Sequence, residues 1–462
     1  MDLPGTLNEL TNWSKSTRSI CFVYKVSDRA EIEKALEVAR AHHLSVIPHG
    51  AGHSYTDSAL NTAGMVMDVT PMHRILSWDA GQGIISVEPG VTLREVLQIT
   101  SKDGWWLPIS PSIPDVTVGG CAAMNVSGTN AWKCGPFGAT ILSLDVLLVA
   151  GEVRTLMPER DATLFHAFVG SLGLLGIITS ITLQLRRIPS GSVIMGRNSA
   201  PSLDGIFAAF AEREPHSDFM EAWLDGFADG RRLGRGFVTY ATLNNTSGDA
   251  SSPTSRSGIF DRFETQLARL TAGAARPMLL PAIKIANRAS YWMSRLDNQS
   301  TGRQRPLFPY TYWPSAAFAG YHRLFPEGVE TFQAFVPGSA APEIFRQLLN
   351  YSHRQGYLSV WCIIKQHRND PYLLSYQVDG FSLELNYQRT AQTAEALQQM
   401  LHYMIALVIE AGGRFYLAKD HFLTGVQYRQ SIGDKAVDTF LRLKKQYDPD
   451  QLLQSDIFRR LF

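Results

Sequence analysis

The sequence predicts a two-domain α+β fold, and three observations carry that prediction. A chain of 462 residues is longer than one hydrophobic core usually serves. Its first 190 residues alternate strand-like and helix-like patterns, the signature of α/β units packed on a sheet. From about Gly191 the texture changes to longer apolar and aromatic stretches separated by loops. Residues 1–190 are therefore expected to form one domain, residues 191–410 a second, sheet-based one, and residues 411–462 a segment returning to the first.

Residues 20–26 read as a strand, after which Asp28 looks like an N-cap with Glu31 closing a capping box. The helix that follows places Ile32, Ala35, Leu36 and Ala39 on one face, so it should pack on a sheet. Residues 44–48 are the next strand. They deliver the chain into a loop from His49 to Asp57 that is too rich in glycine and polar residues to continue either element. Further strands are expected at 65–69, 84–87, 142–149 and 177–185, with helices near 92–101 and 161–169. In the second domain the polar run 244–258 reads as a mobile loop. Residues 277–285 are apolar but broken by Pro277, Pro281 and Lys284, which suits a cap helix or an ordered lid; contact with a membrane surface or a lipid substrate is the other reading. Strand patterns return at 331–336, 359–364 and 381–387, and a helix over 391–411 ends at Gly412 and Gly413, a helix stop signal.

Composition excludes several classes of function. With 43 basic and 42 acidic residues, a net charge of +1, the chain has no global field to attract nucleic acid or acidic lipid, and no nucleic-acid partner is expected. Cysteines 21, 121, 134 and 362 form no Cys-x-x-Cys pair and have no histidine spacing suited to zinc, so no metal site is expected and the thiols read as reduced and mostly buried. Residues 1–14 show no basic stretch leading into an apolar run, and no window approaches the roughly 18–20 apolar residues of a membrane span. The expectation is a soluble cytoplasmic protein whose membrane contact is at most peripheral.

A dinucleotide pyrophosphate needs several backbone N–H groups converging on its oxygens, and glycine permits both positive φ and close approach. The loop of His49, Gly50, Ala51, Gly52, His53, Ser54, Tyr55 and Asp57 meets that requirement directly after a strand. It is not a Rossmann fingerprint, because Tyr55 stands at the third glycine position and no helical pattern opens there. Alone, such a loop is weak evidence and reads first as a simple turn. A second segment, residues 108–128, opens with Pro108, Pro111 and Pro114 and closes on small residues, as suits a rigid loop followed by tight backbone approach to a ligand.

The pair of loops resembles the vanillyl-alcohol oxidase (PCMH-type) family of flavoproteins, whose FAD domain is grasped by a strand-following glycine loop and a later Val-Thr-Val-Gly-Gly loop. Here the latter is Val116 to Gly120, and residues 145–152 and 164–178 continue the pattern. The resemblance implies FAD as cofactor, two α/β subdomains in residues 1–190, a substrate-binding cap in residues 191–410 and a flavin ring at their junction. It implies contacts to FAD from the first loop and from Ser112, Thr117, Val118, Gly119, Gly120, Met124, Asn125, Ser127, Gly128, Ile178 and Tyr416. For Gly176 to Ile178 the alternative is plain helix-to-strand packing. Stretches 413–420, 447–449 and 455–461 are similar to the branch of the family that oxidises decaprenylphosphoryl-ribose, and the likeness runs over nearly the whole chain, weakest between about 190 and 330.

Three positions depart from that branch. Glu384 stands where it has cysteine and Ser127 where it has histidine. His53 stands where the family's alditol and gulonolactone oxidases carry the histidine bonded to the flavin 8α-methyl carbon, which implies either a covalent tether to FAD or a neutral histidine hydrogen-bonding the loop. Ile113 occupies the place of the second, cysteine tether of the berberine-bridge branch, so double attachment is not expected.

Oxidising an alcohol carbon needs a base for the hydroxyl proton and positive charge near the reduced flavin. The resemblance makes Lys419 the active-site lysine and puts Glu384, Asn386, Lys365 and Gln333 on substrate-facing strands. Ser382, Glu384 and Asn386 alternate to one strand face, which suits a hydroxyl-rich substrate, or else an edge facing water. His367 and Arg368 read as a loop charge cluster or as a site for phosphate or carboxylate. The implied activity is oxidation of a secondary alcohol of a small sugar-type substrate, free or phosphate- or lipid-linked. Hydride would pass to flavin N5, Lys419 or Glu384 would take the proton, and oxygen or a quinone would be the final acceptor. Aldonolactone or alditol oxidation, NADPH-dependent reduction of a carbon-carbon double bond and a non-catalytic flavin- or ligand-binding role are the alternatives.

Overall fold

The computed structural model describes residues 5–245, 279–297, 302–317, 325–390 and 392–462. Strand Arg18–Lys25 pairs antiparallel with Thr6–Thr11 and parallel with Met65–Asp68, which pairs parallel with Val46–His49. Helix Arg29–Ala41 carries the crossover from Arg18–Lys25 to the parallel strand Val46–His49 on the far side of Met65–Asp68, and its Ile32, Ala35, Leu36 and Ala39 are buried as their spacing predicts. Asp28 caps the helix by accepting the Glu31 N–H at 3.0 Å. The Glu31 carboxylate reaches one residue further back than a capping box requires, to the Ser27 N–H at 2.6 Å.

A second, five-stranded antiparallel sheet runs in the order Ile75–Asp79, Ile84–Val87, Ile177–Gln184, Ile141–Leu147, Val153–Leu156. Its two edge strands were not legible, because both are largely exposed and lack a regular apolar alternation. Helix Leu93–Thr100 starts at a capping box between Thr92 and Glu95. The small-residue end of the second loop is not loop but helix Val118–Met124, capped by Thr117 and ended by Asn125 in the left-handed region at φ 47°. Gly119 in so short a helix is explained by packing, since a Cβ there would lie 2.7 Å from the Pro89 Cβ.

The third sheet has eight strands, all antiparallel, in the order Arg303–Pro306, Ser192–Ala200, Gly236–Leu243, Phe219–Leu224, Trp361–His367, Gly380–Gln388, Val329–Pro337, Arg414–Phe415. One face carries Ala222, Cys362, Ile364, Leu383, Leu385, Phe332 and Ala334. These form a core with Phe210, Phe345 and Leu401 of helices Leu203–Arg213, Ala341–Arg354 and Ala394–Glu410. The strand alternation therefore turns Gln333, Ser382, Glu384, Asn386 and Lys365 to the opposite face.

Two expectations lie partly outside the described residues: 246–258 of the polar run, and Pro277 and Met278 ahead of helix Leu279–Asp297. Ala391, the expected start of the last long helix, is also outside them. Among the described residues no helix is long and apolar enough to cross a membrane. The C-terminal chain is stitched to the first sheet. The Val46 N–H donates to the Leu452 carbonyl at 2.7 Å, and Asp57 holds Arg460 of helix Asp456–Leu461 through both carboxylate oxygens at 2.8 and 3.1 Å.

Candidate active site

The first loop leaves strand Val46–His49 and turns at Gly52, whose φ of 68° glycine adopts without strain. The N–H groups of Gly50, Ala51, Gly52, His53 and Ser54 have no acceptor among the described residues. A run of free donors around a left-handed glycine forms a concavity for anionic oxygens. Its flanks are tied down: the Ser54 carbonyl accepts from the Trp13 N–H, and the Tyr55 N–H donates to the Ala418 carbonyl, both at 2.8 Å. The Thr56 hydroxyl donates to the Leu417 carbonyl at 2.7 Å, so the loop is laced to the two residues that precede Lys419.

The two loops touch where a side chain would not fit. A Cβ on Gly50 would lie 2.3 Å from Thr117 Oγ1. The second segment, however, supplies a wall rather than donors. The N–H groups of Val118, Gly119 and Gly120 are taken by the Val91 carbonyl (2.7 Å), the Pro89 carbonyl (2.9 Å) and Thr117 Oγ1 (3.2 Å). The close backbone approach expected of this segment is thus an approach to Pro89.

Around it, Asn125 accepts from the Gly138 N–H at 2.9 Å and from the Tyr376 hydroxyl at 2.6 Å, while its buried Nδ2 has no partner. Met124 packs beside Tyr376 and Tyr416, whose rings are 4.2 Å apart. Ser112 and Ser127 are half-buried, and Gly128 is closed against the Ser110 carbonyl. Ile178 is buried in the five-stranded sheet opposite Val146. Asp57 is committed to Arg460.

His53 lies against Trp13 with ring centroids 4.3 Å apart, and its buried Nδ1 has no hydrogen-bond partner. Burial holds both His53 and His49 below the usual histidine range, only partly opposed by Asp115 and Asp68 respectively. FAD fits this set of residues. Five successive backbone donors suit a diphosphate, and the orphaned His53 Nδ1 and Asn125 Nδ2 are polar atoms the protein itself does not satisfy.

On the sheet side, Lys419 Nζ donates to Glu384 Oε2 at 2.5 Å and lies 5.0 Å over the Tyr55 ring. Glu384 is buried, which pushes its carboxyl upward, but Lys419 and Lys365 outweigh burial and leave it below the usual carboxylate range. Asn386 Nδ2 reaches Glu384 Oε1 at 3.4 Å, and its Oδ1 accepts from Thr331 at 2.8 Å, so the carboxylate is oriented from behind. Gln333 faces Glu384 across the ladder. Lys365 does not join Lys419; its Nζ lies 3.1 Å from Glu221.

His367 is not in a loop. It is buried on strand Trp361–His367 with Nε2 2.8 Å from Ser382 Oγ, and burial with nearby Lys365 pushes it down to about 3, so the neutral ring is no anion site. Arg368 donates to the Lys133 carbonyl at 2.9 Å. Trp13, Glu221 and Tyr376 escaped the sequence reading. Glu221 had a signal, a lone acid in the apolar strand Phe219–Leu224, of the kind that exposed Glu384. Trp13 had none.

Residues 21–157 match the family model described as an FAD binding domain. The chain carries a PCMH-type FAD-binding domain within a mixed α+β architecture, and it resembles the FAD-dependent oxidoreductases of the vanillyl-alcohol oxidase family. Over 476 aligned positions it is 28% identical to the decaprenylphosphoryl-beta-D-ribose oxidase of Mycolicibacterium smegmatis, a match covering 100% of this chain and 98% of the relative. Partial matches include the mitochondrial D-lactate dehydrogenase [cytochrome] of Arabidopsis thaliana, 30% identical over 39% of this chain and 33% of the relative. The L-gulonolactone oxidase of Mus musculus is 29% identical over 38% of this chain and 40% of the relative.

Asp420, next to Lys419, is buried; burial pushes its carboxyl up to about 6 against the opposing Leu423 N–H, Arg460 and Phe422 N–H. The folded state therefore holds this proton more tightly than the unfolded chain, and stability falls as pH rises from about 4 to about 6. Asp420→Asn should raise the unfolding free energy by roughly 2–3 kcal/mol at pH 8 relative to its effect at pH 4. Urea melts at the two pH values measure it, and an equal shift at both would refute the assignment.

Proposed function

We propose that this protein oxidises a secondary alcohol of a sugar or sugar-derived substrate, with Glu384 as the proton acceptor. The observation that carries the proposal is the 2.5 Å contact from Lys419 Nζ to Glu384 Oε2. An ammonium that donates to a carboxylate has no lone pair to offer, so of the two candidate bases only Glu384 can take the hydroxyl proton. FAD, when bound, supplies at N5 the acceptor for the carbinol hydrogen as a hydride, and oxygen or a quinone then restores it.

Lys419 keeps a positive charge beside Tyr55 and the first loop, where it opposes the negative charge that builds up during the reaction. Thr331 and Asn386 keep the Glu384 carboxylate in one orientation. Gln333 and Ser382 add polar groups on the same face, suited to the hydroxyls of a sugar ring. The M. smegmatis and mouse relatives, a decaprenylphosphoryl-beta-D-ribose oxidase and an L-gulonolactone oxidase, support a sugar-type substrate. We further propose that His53 Nδ1, buried without a partner, is the point at which FAD is tethered.

Anaerobic bleaching of the flavin by a panel of polyols, sugars and aldonolactones tests the activity. A carbinol should reduce it and NADPH should not. Glu384→Gln should slow that reduction by about 10²–10⁴-fold at full FAD content, and an undiminished rate would remove Glu384 as the base. Glu384 sits below the usual carboxylate range, so the acid limb of the reduction rate should fall below pH 4.5, the ordinary value. In Lys419→Met burial is opposed only by Lys365 and the Asn386 hydrogen bond, and the limb should move up; a limb that stays put would separate Lys419 from Glu384. Acid-precipitated protein should stay yellow and His53→Ala should release its flavin, whereas complete release from the unaltered protein would exclude the tether.

A further inference from the structure

We infer that the reacting ring of the substrate carries no anionic group, because both lysines that face it are already neutralised by carboxylates of the same sheet face. The inference rests on the reading of this site as a carbinol-oxidising one and specifies what that site accepts. Lys365 stands opposite Ser382 in the ladder, and Glu384 stands opposite both Ile363 and Gln333. The neighbouring strand Phe219–Leu224, paired through Ala222 and Ile364, brings Glu221 alongside Lys365. Charges therefore alternate across the face: Glu221, Lys365, Glu384, Lys419, with contacts of 3.1 Å and 2.5 Å in the outer pairs. Lys419 Nζ also lies 5.0 Å over the ring of Tyr55, which brings the first loop to the same group.

These pairs are poorly screened by water. Side-chain exposures are 16% and 26% for Lys365 and Glu221, and 22% and 5% for Lys419 and Glu384. The groups nearest the two lysines on the face add no further cation, since His367 is neutral and Gln333, Ser382 and Asn386 are uncharged. A phosphate or carboxylate on the ring would have to draw a lysine away from its partner and leave a half-buried carboxylate unpaired, a loss of roughly a hundredfold in affinity. Ring hydroxyls need no such rupture; they add to the spare lone pairs and N–H groups of the existing pairs. Arg197 lies on the same face across Thr239 from Glu221, three strands from Lys365, about 14 Å at ordinary strand spacing. A charge held there belongs to something other than the reacting ring.

The FAD-loaded enzyme is titrated with inorganic phosphate by calorimetry, and phosphate is tested as a competitor of the best neutral carbinol. Anaerobic reduction is compared for unphosphorylated and ring-phosphorylated forms of the same sugar. The unaltered enzyme should bind no phosphate at millimolar concentration, show no competition, and prefer the neutral sugar by about a hundredfold in kcat/KM. Glu221→Gln, close in shape, should bare Lys365 and tighten phosphate binding at least about tenfold. The double variant Glu221→Gln with Lys365→Met should lose that gain, which a merely structural effect of the first substitution would not do. Phosphate competition in the unaltered enzyme, or equal use of the phosphorylated sugar, overturns the inference and needs no variant to be seen. Failure of every carbinol to bleach the flavin would overturn the reaction assigned to the site, while the phosphate titrations would still decide the charge balance.

Discussion

The contact between Lys419 and Glu384 is the constraint on which the arrangement depends. It joins a residue of the segment that follows strand Arg414–Phe415 to strand Gly380–Gln388 inside the eight-stranded sheet. The same segment is laced to the first loop through the Ala418 and Leu417 carbonyls. A loop with free backbone donors, a lysine and a buried carboxylate are thereby held against one another by contacts of fixed geometry. A buried carboxylate is tolerable only when charge and hydrogen bonds meet it, and Lys419, Lys365 and Asn386 do so together. Removing any one leaves an imbalance that water does not relieve, since Glu384 is only 4% exposed.

The two halves of the cofactor region divide the work unequally. The glycine loop keeps its N–H groups free, whereas the Val118–Met124 helix has used its first donors on Pro89, Val91 and its own cap. The second segment's part is steric. Thr117 abuts Gly50, Gly119 abuts Pro89, and Asn125 turns the chain into the region of Tyr376 and Tyr416. Glycine at position 50 is thus required by its neighbour Thr117 as much as by any ligand.

Strand alternation explains why one sheet can be both core and site. Leu383 and Leu385 point into the helix-covered core, and Ser382, Glu384 and Asn386 point the other way. That half of the site was legible in the sequence, because polar residues at every second position of an otherwise apolar strand are a local pattern. The glycine loop was legible for the same reason, being a short run directly after a strand. The partners were not: Glu221 and Lys365 lie in separate strands, and Lys419 lies in a turn 35 residues beyond Glu384, so nothing local announces that they meet.

By itself, then, the sequence determined the glycine loop, the helix faces and the polar stripe, all properties of periodicity and of residues close in the chain, while the class of protein came from its resemblance to a known family. Only the tertiary structure decided which charges pair, that the small residues after Thr117 form a helix with its donors already taken, and that His367 is a buried neutral ring rather than a loop cation. The physical reason is that hydrogen-bond satisfaction and charge state depend on burial and on neighbours far away in the chain, which no local pattern encodes.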